Sequence, residues 1–139
     1  MEKLSLAITL ATNAHDGQID KAGFPYIAHP FRVMQSLHFQ GYDEDMLVAA
    51  ILHDTVEDTA MTLDIIETHF GQGVRNLVDA VTRRDSETTY TQFIDRVKLS
   101  GSRAIILKLA DMDDNMDPRR PAIPSQAVKY QKARIQLLS

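Results

Sequence analysis

The chain reads as all-α, and three observations carry that expectation. Apolar residues recur at a spacing of three and four in one segment after another, no segment alternates apolar and polar residues as a half-buried strand would, and residues that cap or break helices fall between the segments. The first segment, Leu4 to His15, has its apolar residues at helical spacing, and Gly17, Gly23 and Pro25 break the stretch Asp16 to Tyr26 into a loop. A second helix is expected from Pro30 to about Phe39, because proline is tolerated in a helix's first turn. Gly41 to Asp43 forms a turn, with Asp43 as N-cap of a helix ending near Val56, and Thr62 caps a short helix that stops at Phe70 and Gly71. Val74, Leu77, Val78 and Val81 mark the next apolar face, and Phe93, Ile94 and Val97 the one after it. Gly101 and Ser102 open a further helix through Asp111. Pro118, Pro121 and Pro124 predict an irregular stretch, after which Ser125 caps a last helix running to Leu138.

Composition narrows the class of protein. With 139 residues, 44% of them hydrophobic, the chain is long enough for one domain with a real core and short for two, so a single domain over 1–139 is expected. The absence of cysteine removes disulfides and thiolate ligands and fits a reducing compartment. No apolar run approaches membrane-spanning length, and the first residues lack the layout of a signal peptide, so the expected location is cytoplasmic. A formal net charge of −4 argues against a nucleic-acid polymer or an anionic membrane as partner, since both need a basic face. A small phosphorylated molecule needs only a local basic pocket.

The chemistry concentrates at the ends of apolar runs. From Met46 to Leu52 every residue is apolar, and His53, Asp54, Glu57 and Asp58 come directly after; by helical count His53 shares a face with Glu57, and Asp54 with Asp58. Ionisable groups carried to the end of a buried helix are costly unless a cation or a partner compensates them. His29 stands immediately before Pro30, at a helix entrance. Asp111 and Asn115, one turn apart, end the apolar run that begins at Ala104. Taken singly, each has a structural use: His29 as a cap, Asp111 as partner of Lys108, Asn115 as a C-terminal cap. Taken as a set, His29, His53, Asp54 and Asp111 supply two imidazoles and two carboxylates, a mixed nitrogen and oxygen set suited to Mn, Fe, Co, Ni or Zn rather than to calcium.

Five stretches together resemble the HD-domain phosphohydrolases, most closely the hydrolase domain of the Rel/SpoT family and the small alarmone hydrolases. They are Ala14 to Gln18, Lys21 to Pro30, Ala49 to Thr59, Phe70-Gly71 with Leu77 to Thr82, and Leu107 to Asp111 with Asn115. The resemblance implies a compact helical bundle with a divalent metal, manganese first, between central helices. It implies His29, His53, Asp54 and Asp111 as ligands, Glu57 and Asp58 as the catalytic pair, and Lys21 and Asn115 on the substrate side. The implied reaction is removal of the 3′-pyrophosphate from guanosine 3′,5′-bis(diphosphate). The alternatives are a phosphomonoesterase or pyrophosphohydrolase of another nucleotide, or a nucleotide-sensing module without catalysis. His15 is expected as a buried hydrogen-bonding support, Lys108 in a structural pairing with Asp111, and Tyr130 in packing. Two positions depart from the family: Asp20 and Asp117 stand where it usually has arginine, and both are expected at the pocket mouth, where they would repel phosphate.

Overall fold

The computed structural model describes residues 1–120 and 124–139, so the irregularity expected at Pro121 lies outside the described residues. Among the described residues the fold is all helix: α1 (Glu2–Ala14), α2 (Ala28–Phe39), α3 (Glu44–Leu52), α4 (Thr55–Asp58), α5 (Leu63–Phe70), α6 (Gln72–Ala80), α7 (Tyr90–Leu99), α8 (Ser102–Asn115) and α9 (Pro124–Leu138). The only extended pairing among them is a single bridge between Ile19 and Pro25, which closes the loop joining α1 to α2. None of these helices is long and apolar enough to cross a membrane.

The central element is α3, which packs against α1, α2, α6 and α8. Its seven residues from Met46 to Leu52 are wholly inaccessible to solvent, which explains why the run carries no polar face. Burying each large aliphatic side chain contributes about 1.5–3 kcal/mol, so this helix anchors the core and fixes the position of the residues after its last turn. Asp43 caps it, its carboxylate accepting the Met46 N–H at 3.1 Å, and Thr62 caps α5 through the Ile65 N–H at 3.2 Å.

Several boundaries differ from the sequence expectation, and α1 and α2 each start two residues early, at Glu2 and Ala28. The central helix does not continue to Val56; it ends at Leu52, and α4 comes next as a separate turn. The cause is competition for carbonyls: the Ala50 carbonyl accepts the His53 ring N–H at 2.6 Å, and the Leu52 carbonyl accepts the Thr55 hydroxyl at 2.8 Å. In an unbroken helix those acceptors belong to the N–H groups of residues 54 and 56. At the other end of the chain, Ser125 falls one residue inside α9 rather than before it, and Pro124 occupies the first helical position.

Candidate metal centre and adjoining cavity

Three helix termini meet in the middle of the bundle. The entrance of α2 presents His29, the break after α3 presents His53 and Asp54, and the last turns of α8 present Asp111, Asp114 and Asn115. His29 Nε2 lies 2.9 Å from Asp111 Oδ1 and 3.5 Å from Asp54 Oδ2, and His53 Nε2 lies 3.1 Å and 3.2 Å from the same two oxygens. One donor atom from each of the four residues falls within 4.8 Å of all the others. Donor separations of this size suit atoms that share a single ion at bond lengths of about 2.0–2.2 Å, so the four residues fit a divalent cation.

Each ring is turned by its second nitrogen. His53 Nδ1–H donates to the Ala50 carbonyl, and His29 Nδ1–H donates to Asp114 Oδ2 at 2.6 Å, which leaves both Nε2 atoms facing the cluster. Such outer partners fix tautomer and ring orientation and raise ligand basicity. Asp114 is itself clamped, by Arg32 at 2.8 Å and 3.2 Å and by Arg120 at 2.8 Å. Behind the cluster the buried Lys108 ammonium donates to Asp111 Oδ2 at 2.8 Å, the structural pairing expected for it. Burial acts against every charge here, yet the partners prevail. Asp111 is held well below the usual carboxylate range, chiefly by Lys108 and His53, while Asp54 and Asp111 hold His53 well above the usual imidazole value. A cation entering between the two carboxylates would take the place of the imidazolium protons, leaving both Nε2 atoms free as donors.

Glu57 and Asp58 border the same cavity, about 220 Å³ in size, without joining the quartet. The Glu57 carboxylate accepts the backbone N–H of Arg83, which ties α4 to the loop after α6. Burial pushes both carboxyls above their ordinary values, and the charge on Asp54 adds to it. His15 supports this side: it is 2% exposed, its Nδ1 bonds Gln18 Oε1 at 2.8 Å, and Gln18 Nε2 donates to the Asp58 carbonyl at 2.9 Å. Tyr26 donates to Asp54 Oδ2 at 2.5 Å and so orients the second carboxylate of the quartet.

A second cavity of about 410 Å³ adjoins the first across Tyr26, Asn115 and Tyr130, which line both. Lys21, Asp20, Gln126 and Arg120 line its outer part. Asn115 therefore stands between the two cavities, and Lys21 borders only the outer one. Tyr130 is more than packing, since its ring walls both spaces.

The two acidic departures separate in the structure. Asp20 does border the outer cavity, but its Oδ1 accepts the N–H groups of Ala22 and Phe24, at 2.9 Å and 3.0 Å, and so shapes the loop. Asp117 is not at that mouth. It lines a different depression with Arg32, Phe39 and Arg119, and the Arg119 guanidinium grips it at 3.0 Å and 2.7 Å. A turn after α8, closed by the Arg120 N–H on the Asp117 carbonyl at 2.9 Å, carries Arg120 into the outer cavity in its place. Sequence reasoning gives Arg120 no definite place, and it misses Asp114 as the orienting partner of His29. The i,i+3 spacing from Asp111 is the available signal for Asp114. Arg83 and Lys129, which border the inner cavity, give no signal at all.

The HD domain description matches residues 7–116 of the chain, which include all four residues of the quartet. The chain belongs to the HD-domain family. It is 35% identical over 125 residues to the guanosine-3′,5′-bis(diphosphate) 3′-pyrophosphohydrolase of Vibrio cholerae, covering 84% of this chain and 18% of the relative. It is 40% identical over 121 residues to the probable enzyme of that name from Synechocystis, covering 79% of this chain and 16% of the relative. A probable GTP pyrophosphokinase of Mycobacterium leprae is 33% identical over 140 residues, covering 96% of this chain and 18% of the relative. The chain thus spans less than a fifth of the length of these curated relatives. Among solved structures, that of a metazoan ortholog of SpoT that hydrolyzes ppGpp superposes with a TM-score of 0.83 at 29% identity, covering 99% of this chain and 86% of that one.

Proposed function

We propose that the chain is a metal-dependent phosphohydrolase, one hydrolase domain over 1–139, that removes the 3′-pyrophosphate of guanosine 3′,5′-bis(diphosphate) in the cytoplasm. The observation that carries this reading is the His29, His53, Asp54 and Asp111 quartet with two further carboxylates, Glu57 and Asp58, on the wall of the same cavity and a nucleotide-sized cavity beside it. Manganese is the first choice of ion, because a set of two imidazoles and two carboxylates is intermediate between the oxygen sites of magnesium and the thiolate sites of zinc. A divalent ion held there supplies charge neutralisation at a phosphoryl oxygen and acidifies water.

The chain's own groups do the rest. Glu57 and Asp58, raised by burial, are matched to accept the proton of an attacking water and return it to the departing 3′-oxygen. The water oxygen forms a bond to phosphorus, the bond from phosphorus to the 3′-oxygen breaks, and pyrophosphate and the 3′-hydroxyl nucleotide result. Asn115, between the two cavities, and Lys21, on the outer one, hold the nucleotide, with Tyr26 and Tyr130 as flat walls.

The second reading is hydrolysis of a less charged nucleotide, favoured by Asp20 on the outer cavity. The deciding experiment incubates the manganese-loaded chain with a panel of guanosine and adenosine nucleotides carrying one to four phosphates and measures released phosphate and pyrophosphate. Pyrophosphate from guanosine 3′,5′-bis(diphosphate) supports the first reading, orthophosphate from a monophosphate the second, and no release from any nucleotide would leave a sensing module.

A further inference from the structure

Every arginine among the described residues except one is paired with a carboxylate: Arg32 and Arg120 with Asp114, Arg75 and Arg84 with Asp79, Arg96 with Glu87, Arg103 with Asp43, Arg119 with Asp117, and Arg134 with Asp113. The exception is Arg83. Its backbone is fixed by the Glu57 carboxylate, and its guanidinium makes only a 3.4 Å contact to the Glu87 carbonyl. It borders the cavity that holds the metal-ligand quartet.

On α9, Lys129 borders the same cavity and likewise has no carboxylate partner among the described residues. The two cations flank one aromatic ring: Lys129 Nζ lies 4.6 Å and the Arg83 guanidinium carbon 5.9 Å from the centre of Tyr90, with Lys129 also 5.0 Å from the centre of Tyr130. A ring face offers an exposed cation only about 0.5–1 kcal/mol. Burial, and then the charges of Lys108 and Arg83, push the Lys129 ammonium below its ordinary value, so these like charges oppose one another. Lys108 is already committed to Asp111, which leaves Arg83 and Lys129 as the cations of this cavity without an acid to neutralise them among the described residues.

The charge balance identifies what they await. A divalent ion in the quartet, together with the Lys108 ammonium, outweighs Asp54 and Asp111 by one charge, and Glu57 and Asp58 turn the cavity net acidic again. A diphosphate, with up to three negative charges as an ester and four as free pyrophosphate, is repelled by such a site unless further cations meet it. We infer that Arg83 and Lys129, both set against Tyr90 on the lining of this cavity, form the subsite that grips the outer phosphate of the group being removed and holds the inorganic pyrophosphate product. This inference rests on the proposed pyrophosphohydrolase reading and adds to it the two residues that select a diphosphate over a monophosphate at the reacting end.

The test titrates inorganic pyrophosphate, and separately orthophosphate, into the metal-loaded full chain by calorimetry, in wild type, Arg83→Gln, Lys129→Met and the exposed control Lys132→Met. Each of the two variants is expected to bind pyrophosphate about tenfold more weakly, the loss of one charge-assisted contact, with orthophosphate nearly unchanged and Lys132→Met like wild type. Lys129→Arg, which keeps the charge, is expected to restore most of the affinity. Pyrophosphate affinity within twofold of wild type in both Arg83→Gln and Lys129→Met would overturn the subsite, as would an equal loss in Lys132→Met. Cation-dependent pyrophosphate binding in a chain that releases no pyrophosphate from any nucleotide supports the subsite and rejects the hydrolase reading, so the two fail separately.

Discussion

Removing the carboxylate of Asp114 takes away none of the four residues of the quartet, yet it is expected to weaken metal binding. Asp114 holds His29 Nδ1 at 2.6 Å, and its own position is set by Arg32 and Arg120. In Asp114→Ala the ring loses the acceptor that fixes its tautomer and turns its Nε2 toward Asp54 and Asp111. Losing an outer partner of this kind typically costs about 10–100-fold in metal affinity. By linkage, that factor removes about 1.4–2.7 kcal/mol of the stabilisation conferred by saturating metal, or about 3–11 °C in the melting temperature of a domain this size. The assay is a manganese titration against a competing chelator, paired with melts at zero and saturating metal. Arg32→Met is the control, because it strips one clamp from Asp114 without removing the bond to His29. The reasoning is refuted if Asp114→Ala binds manganese as wild type does, or if Arg32→Met loses as much affinity.

Glu57→Gln and Asp58→Asn should keep full manganese content while losing about 10²–10⁴-fold in turnover, read by metal analysis and pyrophosphate release on the same samples. Lys108→Met is expected to cost about 3–5 kcal/mol in the metal-free chain, where it strands the buried Asp111 carboxylate, and clearly less when a divalent ion supplies the missing charge; denaturant midpoints with and without metal make the comparison. Asp117→Asn should leave KM for guanosine 3′,5′-bis(diphosphate) within about twofold of wild type, because Arg119 holds that carboxylate away from the outer cavity; an initial-rate series decides it. The Arg96 ion pair holds Glu87 below its ordinary value of 4.5, so the stability it confers is present above that pH and is lost as the pH falls below it. Urea midpoints of Glu87→Gln should therefore lie below wild type at pH 7 and approach it near pH 3.

The sequence by itself determined the helices and the chemistry they carry. Apolar spacing is a local property, so the helical faces were legible, and so was the helix start at Asp43, where a carboxylate meets an N–H three residues on. His29, His53, Asp54 and Asp111 were legible as a set because each ends or begins an apolar run, and a run that must be buried carries its terminal polar groups inward, His29, His53 and Asp111 fully and Asp54 in part. The features beyond reach depended on directions in space. The helix break at His53 arises from its ring reaching the Ala50 carbonyl, a contest between two acceptable bonding schemes that residue order does not rank. The exchange of Asp117 for Arg120 at the outer cavity arises from one turn after α8. Arg83 and Lys129, 46 positions apart, meet the same tyrosine because α9 packs against α7, which begins at Tyr90 just after the loop that carries Arg83, and such a meeting of distant surface cations leaves no periodic trace in the chain. Local order decided which groups are buried; only tertiary packing decided which of them face one another.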